Sequence, residues 1–227
     1  MLLIFLAVGR AEGRQQVLEV GLVNYLWPVL TLLLSLPLLG KRASWTLFPA
    51  TLLALYGLFL VVTQGAPASW RSLSDNLAEN PAAYALALAA ALSWALYSNL
   101  TRRWAGGGEQ GAVILFLPAT ALLMLSICLF LDEPRDWSGR ALAEALFLGA
   151  ATYVAYALWD NAMRRGDVAL VAAASYLTPL LSTLLSCLYL AVMPGARLWI
   201  GCAVLILGSV LSWLSLGEEE QPTPDHA

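Results

Sequence analysis

The sequence predicts an all-α protein, a polytopic membrane helix bundle of two inverted five-helix repeats, the first of them incomplete. Three observations carry this expectation. The chain is 60% hydrophobic and 12% charged, whereas soluble domains run near half apolar and a quarter charged. Its apolar residues gather into seven runs, each about the 20 residues that cross a hydrocarbon core. Two of those runs share an internal motif at equal spacing.

A water-soluble fold of 227 residues could not cover so many apolar side chains with polar ones. Lipid removes that constraint, and the mean hydropathy of +0.73 agrees. The net charge of −3 is too small to draw a nucleic acid, so no nucleic-acid partner is expected. Much of the acidic excess lies in one tail, Glu218, Glu219, Glu220 and Asp225. Residues 217–227 are expected to be solvated and disordered.

The elements follow in order. Residues 1–9, MLLIFLAVG, are apolar but too short to span. They lack the charged opening and small-residue cleavage site of a secretory leader. They read as the end of a helix whose beginning is absent. The full spans are 17–39, 45–64, 82–102, 111–131, 141–163, 167–192 and 197–216. Their breaks are Gly40 to Arg42, the stretch 65–81, Arg103 to Gln110, Asp132 to Arg140, Arg164 to Gly166, and Pro194-Gly195. Most are short, so neighbouring helices are expected to run antiparallel.

The internal repeat sets the organisation. Residues 24–35 read NYLWPVLTLLLS and residues 175–186 read SYLTPLLSTLLS. The match is Tyr-Leu-x-Pro, followed at equal spacing by Ser35 and Ser186. In this register, 141–163 corresponds to the stub 1–9, and 82–102 and 111–131 have no counterpart at the front. Repeat arithmetic therefore leaves about 70 residues unaccounted for. The units are 1–64, a connection 65–81, and 82–216. Five helices per unit means that the second crosses in the opposite sense, and inverted repeats of this kind mark secondary transporters. Of the 12 Lys and Arg residues, six fall on each side. The pairs Lys41-Arg42, Arg102-Arg103 and Arg164-Arg165 lie closest to helix ends. That side and the tail are expected to be cytoplasmic.

The chemistry of enzymes is poorly represented. The single histidine, His226, lies in the tail, which leaves no triad and no metal-binding histidine pair in the bundle. No cofactor or metal is expected. Cys128, Cys187 and Cys202 lie in apolar runs without CxxC spacing and read as small buried hydrophobes.

The candidate solute site rests on polar and aromatic residues inside the spans. Pro28 and Pro179 each remove a backbone donor, and matched interruptions in two halves point to a transport site. Tyr25 and Trp27 lie within a turn of Pro28, and Tyr176 and Thr178 within a turn of Pro179. Ser93, Trp94 and Tyr97 form a polar-aromatic patch with Ser98 and Asn99. Tyr153, Tyr156 and Trp159 form a second stripe. The plainer alternative for each is a kink or helix–helix packing. Trp45, Trp70, Trp104, Trp137 and Trp199 fit an interfacial belt. Asp160 precedes Arg164 by four residues, as an end-of-helix ion pair would. Glu19 and Glu144 lie near helix starts, where the dipole favours them. That leaves no deep carboxylate as a proton carrier and favours facilitated diffusion or weakly coupled export.

The repeated Tyr-Leu-x-Pro helix, followed by helices with Gly57 and with Gly201 and Gly208, resembles the drug/metabolite transporter superfamily in its EamA-type branch. The NYLWP segment is most similar to bacterial aromatic amino-acid exporters of the YddG type. The resemblance runs from residue 1 to about 216. It implies two inverted five-helix units, a small-molecule solute, a bacterial inner-membrane location and a central cavity crossed by alternating access. It also implies that two and a half helices of the family pattern precede residue 1. The cargo it favours is an amino acid, aromatic first. Another small solute (a drug, purine or sugar-like metabolite) and a non-transporting membrane protein stay as alternatives.

Overall fold

The computed structural model describes residues 2–63, 70–105, 113–130, 138–189 and 195–216. Among them the chain runs through α1 (Leu2–Arg10), α2 (Gly13–Asn24), α3 (Trp27–Leu39), α4 (Leu47–Val62), α5 (Trp70–Glu79) and α6 (Pro81–Ala105). It continues through α7 (Val113–Phe130), α8 (Gly139–Arg165), α9 (Val168–Ala174), α10 (Leu177–Tyr189) and α11 (Ala196–Leu214). The described residues are almost wholly helical, as the apolar runs require. Among the described residues, six helical stretches are long and apolar enough to cross a membrane, and α4, with 16 residues, is shorter. This is a polytopic all-α membrane fold. The acidic tail 217–227 lies outside the described residues.

Two spans differ from a simple rod. The run 17–39 is two helices, broken at Tyr25 and Leu26, and the run 167–192 is broken at Ser175 and Tyr176. The two breaks have the same backbone chemistry. At the first, the Tyr25 amide donates to Gly21 (3.0 Å) and the Leu26 amide to Val23 (3.1 Å). At the second, Ser175 donates to Val171 (3.1 Å) and Tyr176 to Ala173 (3.2 Å). Each step shortens the bond from i−4 to i−3, which tightens and turns the helix. The two motif prolines therefore do not lie in helix interiors, where the continuous apolar runs predict them. Pro28 and Pro179 stand in the first turns of α3 and α10, where a missing amide costs little. Proline alone is not the cause, since Pro37 sits inside α3 without breaking it.

The stretch 65–81, expected as a connection, contains α5. Its sequence WRSLSDNLAE is amphipathic, and Ser72 and Asn76 share one face four residues apart, with Asn80 just past the helix end.

By packing, the chain forms two compact units, residues 1–99 with 168–227, and residues 100–167. The first holds a core of Val29, Leu32, Ala54, Leu58, Val61, Tyr176, Leu198 and Leu205. Its centre is the antiparallel pair α4 and α11. Glycine makes that approach possible: a Cβ on Gly57 would lie 2.3 Å from the Leu205 nitrogen, and one on Gly208 2.3 Å from the Ala54 nitrogen. Lipid gives no hydrophobic drive for helix pairing, so close backbone contact through small residues supplies it. The loop before α4 is pinned to the end of α11. The Ser44 amide donates to the Ser215 carbonyl (2.8 Å), and the Thr46 and Ser215 hydroxyls share a bond of 2.8 Å.

The second unit contains α7 and α8, whose surfaces are apolar and exposed, with Phe116, Leu129, Phe147 and Leu158 all bare. Such a surface belongs in lipid. Cys128 faces outward here, Cys187 is half-buried and only Cys202 is buried in the protein, so the expectation of three buried thiols holds for one. Asp160 and Arg164 form the expected ion pair, at 2.8 Å and nearly sealed from solvent. The Arg102 guanidinium donates to the Arg164 carbonyl, satisfying an acceptor at the end of α8.

Candidate functional site

The candidate site grows from the first unit, where α3 and α6 present aromatic rings to each other. Trp27 opens α3 immediately after the helix break. Its ring meets Trp94 edge-on, with centroids 6.1 Å apart and planes at 81°. Trp94 in turn lies 5.6 Å from Tyr97, tilted by 40°. All three are half-buried. Edge-to-face pairs of this kind prefer centroids about 4.5–7 Å apart. Three candidates from the sequence thus form one aromatic cluster.

A polar rung lies one turn further along. The Thr31 hydroxyl donates to the Trp27 carbonyl (2.7 Å). The Asn99 amide nitrogen donates to the Thr31 carbonyl (3.0 Å) and to the Ala95 carbonyl (2.9 Å). Thr31 is four residues beyond Trp27, and Asn99 five beyond Trp94. The rung therefore ties α3 to α6 in the register that brings the two tryptophans together. Both residues are fully buried, and the Asn99 side-chain oxygen has no partner. Asn99 appeared in the sequence only as part of a patch, and Thr31 not at all. The signal was the spacing of Thr31, four residues beyond Trp27 and so on one helical face with it.

The other candidates are placed differently. Tyr176 is buried in the core of the first unit, 1% exposed, and its hydroxyl lacks a partner. Tyr25 packs, partly buried, against the same core. The two repeat-related tyrosines thus share a core and not the aromatic cluster. Pro28 and Pro179 are buried. Thr178 and Ser93 are exposed, and the Ser93 hydroxyl bonds back to the Ala89 carbonyl (2.7 Å). In the second unit Tyr153 is exposed, and Tyr156 and Trp159 are half-buried.

The acidic residues require correction. Glu144 is exposed and pairs with Arg140 at 2.8 Å. Glu19 is the seventh residue of α2, beyond the first turn where the dipole acts. It is 3% exposed, so a buried carboxylate does exist. It accepts from Ser72 (2.5 Å), Asn76 (2.9 Å), Tyr84 (2.5 Å) and Gln15 (3.2 Å). All four donors are neutral. They come from α2, α5 and α6, and Leu73 of α5 packs beside them against Val20, Ala83 and Ala87. Asn80 adds bonds to the Gln16 side chain (3.0 Å) and the Arg10 carbonyl (2.6 Å). Glu19 is the hub that clamps α5 onto the bundle.

Comparison with known proteins decides the family. Residues 81–214 match the EamA-like transporter family. The chain belongs to the EamA-like transporter family. It is similar to the aromatic amino acid exporter YddG of Salmonella typhimurium, 33% identical over 92% of this chain and 71% of that protein. It is 31% identical to the Escherichia coli protein of the same name, over 92% and 71%. The Ancylobacter novellus protein of that name is 36% identical over 86% and 67%. A solved crystal structure superposes with a TM-score of 0.77 at 32% identity, covering 94% of this chain and 71% of the other. These relatives are transporters and not enzymes. An EamA-like transporter is a multi-pass membrane protein, which the six spanning-length helices match.

Proposed function

We propose that this chain exports small metabolites, amino acids first and aromatic ones above others, by alternating access through a central cavity. The reading carries the division into repeats 1–64 and 82–216 with it. It places the C-terminal tail on the cytoplasmic face of a bacterial inner membrane. The observation that carries it is the cluster of Trp27, Trp94 and Tyr97 beside a broken helix. Aromatic rings hold flat apolar solutes while their polar edges stay hydrated, and they attract ammonium groups over their faces. Broken helices expose backbone amides and carbonyls that a zwitterion needs. The names of the relatives point the same way. Ser93 and Thr178, both exposed, are proposed as hydroxyls for the carboxylate, and Tyr25, Tyr176, Pro28 and Pro179 as the frame of the two breaks.

The test is flux of phenylalanine, tryptophan, alanine and threonine from proteoliposomes holding the whole chain. The expected result is faster, saturable flux of the aromatic pair. Equal rates for all four, with none inhibiting another, would remove the aromatic preference and leave a transporter of other cargo.

A further inference from the structure

The outer face of the first unit carries a second feature, unconnected with the aromatic cluster. A groove of about 370 Å³ runs between α3 and α4. Val29 and Leu33 line one wall, Phe48, Leu52 and Leu55 the other, and Trp45 stands at one end. Leu33, Phe48 and Leu52 are 46%, 73% and 50% exposed, so no part of the unit covers them. The lining is almost wholly apolar.

The end beside Trp45 has a different chemistry. Gly40 closes α3 in the left-handed conformation, with φ 70°, and the chain then passes Lys41, Arg42, Ala43 and Ser44. Arg42 is exposed and has no ion-pair partner among the described residues. The backbone that follows is fixed, because Ala43 bridges to Leu216 and Ser44 to Ser215. Trp45 is 98% exposed, as a residue at the lipid headgroup level would be.

We infer that this groove is a binding site for an anionic diacyl phospholipid. One acyl chain lies between α3 and α4, and the phosphate faces Arg42 and Lys41. The apolar trough, the adjoining basic pair and the interfacial tryptophan follow the order of parts in a lipid, from tail to headgroup. Basic residues beside a membrane surface attract anionic headgroups. A second copy of the chain fits less well, since charged residues are depleted at the centres of protein interfaces. The acidic run Glu218 to Glu220 follows Leu216 in the sequence and would weaken the attraction of an anion. The measurement is therefore made with and without residues 218–227.

The test compares dioleoyl phosphatidylglycerol with dioleoyl phosphatidylcholine. The whole chain in detergent is titrated with each, and retained lipid is read by native mass spectrometry and thermal stability. The expected result is one retained phosphatidylglycerol, preferred over phosphatidylcholine by about tenfold or more. Removing 218–227 should preserve or enlarge that preference. Lys41→Gln with Arg42→Gln should bring it to near parity, while Leu52→Trp, which fills the trough, should reduce retention of both lipids. Equal retention of the two lipids by the unmodified chain would overturn the site, whatever the variants do. So would a preference that survives the double glutamine substitution. Inorganic phosphate giving the full stabilisation would overturn the acyl-chain part. A dimer that Leu52→Trp disperses, with no lipid preference, would assign the groove to a second copy instead. Binding is read without transport, so neither result bears on the proposed cargo.

Discussion

Trp94 is the residue on which the candidate site turns, because its ring meets both Trp27 and Tyr97. A single aromatic pair is worth about 0.5–1.5 kcal/mol beyond area burial, and about 1.4 kcal/mol is a factor of ten. Trp94→Ala should therefore raise the half-saturation concentration for phenylalanine up to roughly tenfold. Trp27→Ala should do less, and alanine or threonine flux should change little in either. An equal effect on every solute would make the cluster a packing feature. The sequence exposed these rings because aromatics in mid-span depart from an aliphatic background. It could not show that Tyr25 and Tyr176 turn to the core, since a repeat fixes residue type and spacing but not which face meets a neighbour.

Glu19 teaches the opposite lesson at the same scale. In the sequence it was one acid near a helix start, and its four donors lie up to 65 positions away. Gln15 is one helical turn away, but no local spacing could have joined Ser72, Asn76 and Tyr84 to Glu19. Glu19→Ala would leave the Ser72, Asn76 and Tyr84 donors without this acceptor, and for Tyr84, which is buried, the orphan costs about 1–3 kcal/mol. The expected outcome is release of α5, read as faster tryptic cleavage at the exposed Arg71 while the α6 and α11 fragments stay intact. Unchanged cleavage would mean that Leu73 and the Asn80 bonds hold the helix down without Glu19.

At the scale of elements, the decisive contact is α4 against α11. Gly57, Gly201 and Gly208 were visible in the sequence as a glycine-rich pattern, yet glycine in an apolar helix does not say what approaches it. The structure supplies the reason, since the backbone of the partner helix lies inside the space a side chain would need. Gly208→Leu cannot be absorbed by a rotamer change, because the nearest atoms are backbone. Overpacking commonly costs about 1–3 kcal/mol, and this site should fall at or above the upper end. Unfolding in detergent titrations should show the loss, with Gly149→Leu as the control. Gly149 has nothing within 4 Å of its added Cβ. Equal stability of the two variants would contradict the close packing. The helix breaks belong to the same scale. A matched motif located both to within a few residues. Their placement before the prolines followed from backbone bonding that a hydropathy pattern does not contain.

For the whole molecule, the open quantity is the number of crossings, and α4 decides it. Its 16 residues reach about 24 Å at 1.5 Å each, short of the roughly 30 Å hydrocarbon core. Its neighbour α11 is long enough to span, and α4 follows it end to end. Gly201 meets Val61, Leu205 meets Gly57, Gly208 meets Ala54, and Ser215 bonds to Ser44 and Thr46. A helix pinned along a spanning partner crosses with it, and residues Ala43 to Thr46, held against the end of α11, add to its length. Between Ser44 and Ser138 there are then three crossings, by α4, α6 and α7, which puts the two serines on opposite faces. If α4 lay within one leaflet there would be two crossings, and the serines would share a face. The measurement uses a background with Cys128, Cys187 and Cys202 changed to serine, and one cysteine restored at position 44 or 138. A membrane-impermeant maleimide applied to intact cells should label Ser138→Cys and spare Ser44→Cys until the membrane is opened. The reverse pattern would keep three crossings and invert the orientation expected from the basic pairs. Labelling of both from outside would remove α4 from the set of spanning helices, and with it the antiparallel arrangement of the first repeat.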